Sequence, residues 1–331
     1  MRILNLFQPH RPFAKDNKEE YKEWSENAHA VPIFLQWWWI EAATNGNWNA
    51  VFSHNKDGSV KAVWPYTVEK KFGIYISRMP KQTQFLGPWI SPASSNRPAK
   101  KIAHEKEALE NLIEQIPRFS FFKQKFRFSL KNWMPFYWSG YAQTTLYTYR
   151  LDLSPTIENL HKELESNIRT DIKKAQSKVS IKEIDDIDSF YEINKKSFLR
   201  QNKEIPYSLD FVRRLDKELS QRKMRRITLA VDTATQQVHA AVYIVWDAET
   251  AYYLWGGADP SLRSSGATSL LLWDAIEYCQ KFAKFFDFEG SMIKPVEKFV
   301  RAFGAEQVPY FEIQKRNFLF KLADLARGKI K

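Results

Sequence analysis

Two carboxylates, Asp287 and Glu289, stand two positions apart in Phe285-Phe-Asp-Phe-Glu289. Side chains alternate along an extended strand, so this spacing predicts that both point to the same face, with Gly290-Ser291 ending the strand. A carboxylate of raised pKa can act as a general base, for example taking the proton that an amine of pKa about 10.4 must lose before it acts as a nucleophile. Glu289 is therefore the candidate base, with Asp287 beside it. The competing use of either carboxylate is to cap the next helix or hold a neighbouring loop. Where such a base serves attack on a carbonyl, charge builds on a tetrahedral oxygen. Lys298, Arg301 and the backbone N–H groups near Trp255 to Ala258 are the donors on offer for it.

Two further groups of residues have the chemistry of anion sites. Ser154 as N-cap and Pro155 at the first helical position predict one helix through Ala175, with Ile157, Leu160, Leu164, Ile168, Ile172 and Ala175 on its core face. On that wheel Lys162, Arg169 and Lys173 fall within about 40° of one another on the other side. Such a stripe binds phosphate or is simply a solvated face. The second group is Arg263-Ser-Ser-Gly-Ala-Thr268, just before an apolar run. Backbone N–H groups of Ser265, Gly266, Ala267 and Thr268 at a helix start attract phosphate oxygens, Gly lets the backbone approach closely, and Arg263 adds a charged donor. An ordinary loop-to-helix junction has the same sequence character.

The elements that must position these residues alternate between helix and strand. Thr148 to Leu153 reads as a strand, and short elements follow at Val179 to Glu183 (strand), Ile187 to Leu199 and Leu209 to Leu219 (helices). The runs Arg226 to Val231, Val238 to Trp246 and Ala251 to Trp255, separated by polar turns, read as an antiparallel meander. A mostly buried helix over Ala267 to Lys284, a strand at Phe285 to Glu289, a helix at Val296 to Phe303 and a strand at Val308 to Ile313 complete the order. The first half predicts strands near Trp48 to His54, Val60 to Glu69 and Ile74 to Arg78, and a helix near Lys100 to Ile116.

With 331 residues, 44% of them apolar and 12 of them Trp, the chain is too long and too rich in packing material for one small core or for disorder. Its formal charge of +12 favours anionic partners, namely nucleic acid, phosphorylated metabolites or an anionic membrane surface. One cysteine, Cys279, excludes an intrachain disulfide and fits a reducing compartment. Met1 to Phe13 lacks an apolar core of signal-peptide length, and Val31 to Ala43 is interrupted by Gln36 and Glu41. The expectation is no membrane span and a cytoplasmic protein. The 6 histidines show no metal-ligand spacing, and His239 reads as a core or sheet residue. Trp24, Trp37, Trp38, Trp39, Trp48 and Trp64 have the stacking surface of a nucleic-acid reader, but core packing explains them better.

Three segments carry a resemblance: Asn167-Ile-Arg-Thr-Asp-Ile-Lys-Lys-Ala175, Trp255-Gly-Gly-Ala-Asp259 with Gly266-Ala-Thr-Ser-Leu-Leu-Leu-Trp273, and Phe286-Asp-Phe-Glu-Gly-Ser-Met-Ile293 ending at Phe303-Gly304. Together they resemble the FemABX proteins and their GNAT-domain relatives, over roughly residues 150 to 315. The resemblance implies an α/β (α+β) chain of two GNAT-like, mixed-sheet halves, residues 1–150 and 151–331. It further implies an N-acyltransferase moving an acyl or aminoacyl group to an amine, on a peptidoglycan or other cell-envelope precursor. Arg169 stands at the motif's arginine, which implies contact with a phosphorylated, anionic acceptor. The donor so implied is aminoacyl-tRNA or acyl-CoA, with no firmly bound cofactor and no metal. Thr268 replaces the Gly or Ala of the GNAT pattern, and Val300 replaces the lysine of the FemABX Phe-Lys pair. These departures keep two rivals open: an acetyl-CoA-dependent N-acetyltransferase, and a catalytically degenerate tandem GNAT binding module.

Overall fold

The computed structural model describes residues 15–320 other than 29, 72, 200–203, 291 and 319. They form two compact units: residues 15–28, 34–145 and 310–320 make the first, and residues 30–33 with Leu146–Pro309 the second.

The first unit runs α1 (Lys18–Asn27), α2 (Trp37–Thr44), β1 (Trp48–His54), β2 (Val60–Thr67), β3 (Glu69–Lys71), β4 (Ile74–Ser77), β5 (Trp89–Ile90), α3 (Pro98–Gln115), β6 (Phe121–Lys125) and α4 (Met134–Trp138). β1 and β2 pair antiparallel with Val51 opposite Trp64, and their nearly unbroken apolar runs are buried. The core gathers Val51, Trp64 and Tyr66 with Leu109 and Leu112 of α3 and with Phe122, Phe126 and Phe136. The indole of Trp64 donates to Oε1 of buried Gln124 at 2.6 Å, and the Gln124 amide donates to Pro65 O at 3.0 Å, so neither polar group is stranded. Trp24, Trp38, Trp39 and Trp48 are buried as well, which is the packing use that the sequence favoured over base stacking.

The second unit runs β7 (Ala142–Asp152), α5 (Ile157–Glu163), α6 (Ser166–Gln176), β8 (Val179–Ile184), α7 (Ile187–Leu199), α8 (Leu209–Gln221), β9 (Arg225–Asp232), β10 (Val238–Trp246) and β11 (Thr250–Ala258). A 3-10 turn (Pro260–Ser265), α9 (Ala267–Cys279), β12 (Phe285–Asp287), α10 (Lys294–Arg301) and β13 (Glu306–Arg316) follow. Its strands lie in the order β7-β12-β11-β10-β9-β8. β12 runs parallel to β11 and antiparallel to β7, while β8 to β11 form an antiparallel meander. α9 is buried on nearly every side, from Leu270 to Cys279, against Val242, Ile244 and Phe286. The sheet is mixed and the fold α/β, as expected.

The single helix expected from Ser154 to Ala175 is two. α5 is capped by Thr156, whose hydroxyl accepts from Asn159 N, and the chain turns extended at Leu164 and Glu165 before α6. The break has a tertiary cause: Ala302 O, just beyond α10, takes the Glu165 N–H at 2.9 Å, a donor that a continuous helix would have satisfied internally. Lys162 therefore sits on α5 while Arg169 and Lys173 sit on α6, and the stripe drawn on one helical wheel does not form as drawn.

Candidate functional site

Asp287 ends β12 opposite Arg150 of β7 and is 1% exposed. Its Oδ1 accepts from Thr148 Oγ1 at 2.5 Å and from the Glu289 backbone N–H at 2.8 Å. Its Oδ2 lies 3.7 Å from Arg150 Nε. Arg150 in turn stacks on Phe285, with its guanidinium carbon 4.1 Å from the ring centroid, and donates to Thr250 Oγ1. A buried charge persists only when paired and hydrogen-bonded, and Asp287 is both.

Glu289 is not on the strand. β12 stops two residues earlier, so the expected shared face of Asp287 and Glu289 does not exist. Instead Glu289 has φ +57° and Gly290 φ +52°. A Cβ on Gly290 would lie 2.2 Å from Tyr147 O, so the turn is pressed against β7 and only glycine fits there. Glu289, a non-glycine residue in the left-handed region, is held by the bond from its N–H to Asp287, and its carboxylate is half-buried. Strained non-glycine backbone of this kind costs about 1–3 kcal/mol and is concentrated at functional sites.

α10 follows at once. Arg301 Nε donates to Glu297 Oε1 at 2.8 Å, Tyr149 OH donates to the same carboxylate at 2.8 Å, and the Gln307 amide donates to Tyr149 OH at 2.6 Å. The Tyr149 bond and then Arg301 hold Glu297 below the usual carboxylate range, while burial and then Glu297 raise Tyr149. Lys298 is exposed on the same helix. Asp287 and Glu289 thus share one turn, while Lys298 and Arg301 lie on α10, the helix that comes next in the chain. The structure adds Thr148, Tyr149, Arg150 and Glu297, which sequence reasoning missed; β7 carries Gln, three Thr and Asp as well as Arg150, so its sequence does not single the arginine out.

Arg169 is committed to backbone. Its guanidinium donates to Lys162 O at 3.1 Å and to Leu164 O, closing the C-terminal carbonyls of α5 across the break. At the start of α9, Gly266 has φ +77°, and a Cβ there would lie 2.3 Å from Asp171 O of α6. Its glycine is thus required by the protein's own backbone. Ser269 donates to Asp171 Oδ2 at 3.2 Å, and Lys174 Nζ donates to Ser264 O at 2.5 Å. An intramolecular carboxylate accordingly sits by the positive end of α9. Ser265, Gly266 and Ala267 are buried, Thr268 is half-buried and Arg263 is exposed.

β11 is similarly engaged. Past Tyr252 it has left β12, and α7 closes on it: Asn194 Nδ2 donates to Gly256 O at 2.6 Å, and Ser197 Oγ accepts from Ala258 N at 2.9 Å. Asn194 is itself fixed by Tyr207 OH at 2.7 Å. A Cβ on Gly257 would lie 2.5 Å from Asn194 Cα, which explains the glycine. His239 is buried with Nε2 3.2 Å from Asp232 Oδ2, within the sheet as expected.

With this geometry in place, residues 162–290, within the second unit, match the family described as acetyltransferase (GNAT) domain. The fold is similar to that of FemX, at TM-score 0.66, with 11% identity over 89% of this chain and 95% of that one. The C-terminal domain of a putative lysylphosphatidylglycerol synthetase from Agrobacterium fabrum is similar at TM-score 0.52, with 11% identity over 88% of this chain and 94% of that one. L-PGS from Bacillus licheniformis is similar at TM-score 0.52, with 10% identity over 93% and 96%. No curated protein matches the chain in sequence.

Proposed function

We propose that the protein is an N-acyltransferase that moves an aminoacyl or related acyl group onto the amine of a phosphorylated acceptor such as a cell-envelope precursor. The observation that carries this reading is the turn at Glu289. Its backbone is strained, its position is set by a buried Asp287–Arg150–Thr148 cluster, and it lies in the segment that matches the GNAT family, a few residues before α10 in the chain. Glu289 is the base that takes the acceptor's proton; Asp287 holds the turn from inside; Lys298 and Arg301 offer positive charge to the acceptor or to the developing oxyanion.

The donor on this reading is an aminoacyl-tRNA rather than acyl-CoA. A pantetheine arm lying along β11 would need the outward N–H and C=O groups at Gly256 and Ala258, which Asn194 and Ser197 already engage. The pyrophosphate would need the start of α9, where Asp171 stands and Thr268 carries a branched side chain. The lysylphosphatidylglycerol synthetase whose fold is similar is named for an aminoacyl product on a phosphorylated acceptor, which fits the same class.

Titration calorimetry with acetyl-CoA and with charged tRNA, followed by transfer assays on a nucleotide-linked peptide precursor, tests the reading. The expected result is tRNA binding, no saturable acetyl-CoA binding, and a Glu289→Gln variant that binds donor normally while kcat falls about 10²-fold or more. Micromolar acetyl-CoA binding lost in Arg263→Ala would reverse the choice of donor. Binding of neither donor would leave only a ligand-binding module.

A further inference from the structure

The first unit shows water an apolar face on the outer side of α4. Within α4, Pro135 and Phe136 are buried, and the Phe136 ring sits 5.5 Å from that of Trp64 and 4.9 Å from that of Phe126, so the inner side of the helix is locked into the core. The outer side carries Met134, Tyr137 and Trp138, which are 54%, 63% and 53% exposed. These positions, spaced i, i+3 and i+4, form one continuous face. Ile102 of α3, 57% exposed, extends the apolar surface one turn before Lys106, whose ammonium lies 4.8 Å from the Trp138 ring. A large apolar residue exposed singly calls for no explanation, but a contiguous set on a rigid support does.

The charges around this face discriminate between partners. Lys106 stacks on Trp138, Lys315 donates to Ser139 O at 2.7 Å just after α4, and Lys101 and Lys131 are exposed at its margins. Glu105, Glu107 and Glu110 are the acids on the same stretch of α3; Glu107 pairs with Lys61 at 2.9 Å, and Lys106 reaches Glu110 only at 3.8 Å. Protein interfaces are depleted in lysine. Trp and Tyr beside lysines, with methionine and isoleucine between them, are instead the composition of a surface that rests in the headgroup layer of a bilayer: the rings sit at the polar-apolar boundary, and the ammonium groups reach anionic phosphates. The formal charge of +12 draws the whole molecule toward such a surface.

We propose that the exposed face of α4, with Ile102 and the lysines around it, docks the protein peripherally on an anionic lipid bilayer. The apolar side chains enter the interfacial layer and the lysines pair with lipid phosphates. No helix among the described residues is long and apolar enough to cross a membrane, so the attachment is reversible. This inference is independent of the donor and of Glu289, and can fail while acyl transfer stands.

The experiment is sedimentation of the full chain with vesicles of phosphatidylcholine alone and of phosphatidylcholine mixed with phosphatidylglycerol. Binding is expected only to the mixed vesicles and should weaken as salt rises. The double variant Tyr137→Ala/Trp138→Ala should lose affinity by about tenfold or more, with the unfolding midpoint little changed because both side chains are more than half exposed. As a second readout, Tyr137→Cys labelled with an environment-sensitive fluorophore should shift to the blue on mixed vesicles, whereas an Asp57→Cys label should not; Cys279 is buried and does not compete for the label. Absence of binding to mixed vesicles, or binding that the double variant leaves intact, would overturn the proposal. So would concentration-dependent self-association of the native chain that the variant abolishes, since the face would then belong to a second copy.

Discussion

Asp287 and Glu289 differ by two positions in the chain and by almost everything in their surroundings. Asp287 on β12 answers Arg150 on β7 with both side chains buried, 2% and 10% exposed respectively, so removing its charge takes away a carboxylate 3.7 Å from a guanidinium in the interior. Asp287→Ala is expected to cost about 3 kcal/mol or more, read from urea unfolding midpoints, and Asp287→Leu/Arg150→Met should recover part of that loss. Equal destabilisation by the single and double variants would show that the pair is not coupled. Glu289→Gln, by contrast, should leave the midpoint nearly unchanged. That two carboxylates stand in an apolar run was legible in the sequence. Their division of labour was not: it depends on Arg150, 137 positions earlier, and on a strand that stops before Glu289.

Among the elements, the junction leading into α9 depends most on its glycine. Gly266→Ala would place a methyl group 2.3 Å from the Asp171 carbonyl at φ +77°, combining backbone strain with overpacking. The expected loss is at least about 2 kcal/mol in denaturant unfolding, with or without any nucleotide or phosphate present. A variant as stable as the native chain would return Gly266 to a ligand-binding explanation. The turn before it is pH-sensitive. Ser261 and then Lys196 hold Asp259 down to about 2, below its unfolded value of about 3.9. The contribution of Asp259 to stability is therefore complete above about pH 4 and is lost as pH falls toward 2. Acid unfolding curves of the native chain and Asp259→Asn should be separated at neutral pH and converge near pH 2; curves that differ by the same amount at every pH would contradict this.

At the scale of the molecule, the first unit is not continuous in sequence. β13 returns to it, pairing antiparallel with β6 so that Ile313 lies opposite Gln124 and Arg316 opposite Phe121. Gln124 is the residue that satisfies the Trp64 indole, so β13 covers a strand at the heart of that core. A fragment of residues 1–145 is expected to be unfolded or aggregated by circular dichroism and limited proteolysis, because β6 would present an uncovered edge. The same fragment carrying residues 310–331 through a short linker should regain protection. Full protection of the shorter fragment would show that β13 is dispensable.

What the sequence determined by itself was whatever depends on neighbours within a few turns of chain. The meander β9 to β11, the buried α9, the strands β1, β2 and β4, and the segments resembling FemABX and GNAT proteins were all legible, since periodicity and local motif are short-range properties. The charge and the single cysteine were plain as well. Tertiary structure decided the rest. It broke one predicted helix into α5 and α6, because Ala302 supplied an acceptor for Glu165 N–H, and so it redirected Arg169 to the carbonyls of α5. It assigned Gly266 to a contact with α6, and the groups at Gly256 and Ala258 to Asn194 and Ser197 of α7. A hydrogen bond between residues far apart in the chain leaves no period in the sequence, yet each buried donor and acceptor must find its partner, and that requirement is met only when the elements come together.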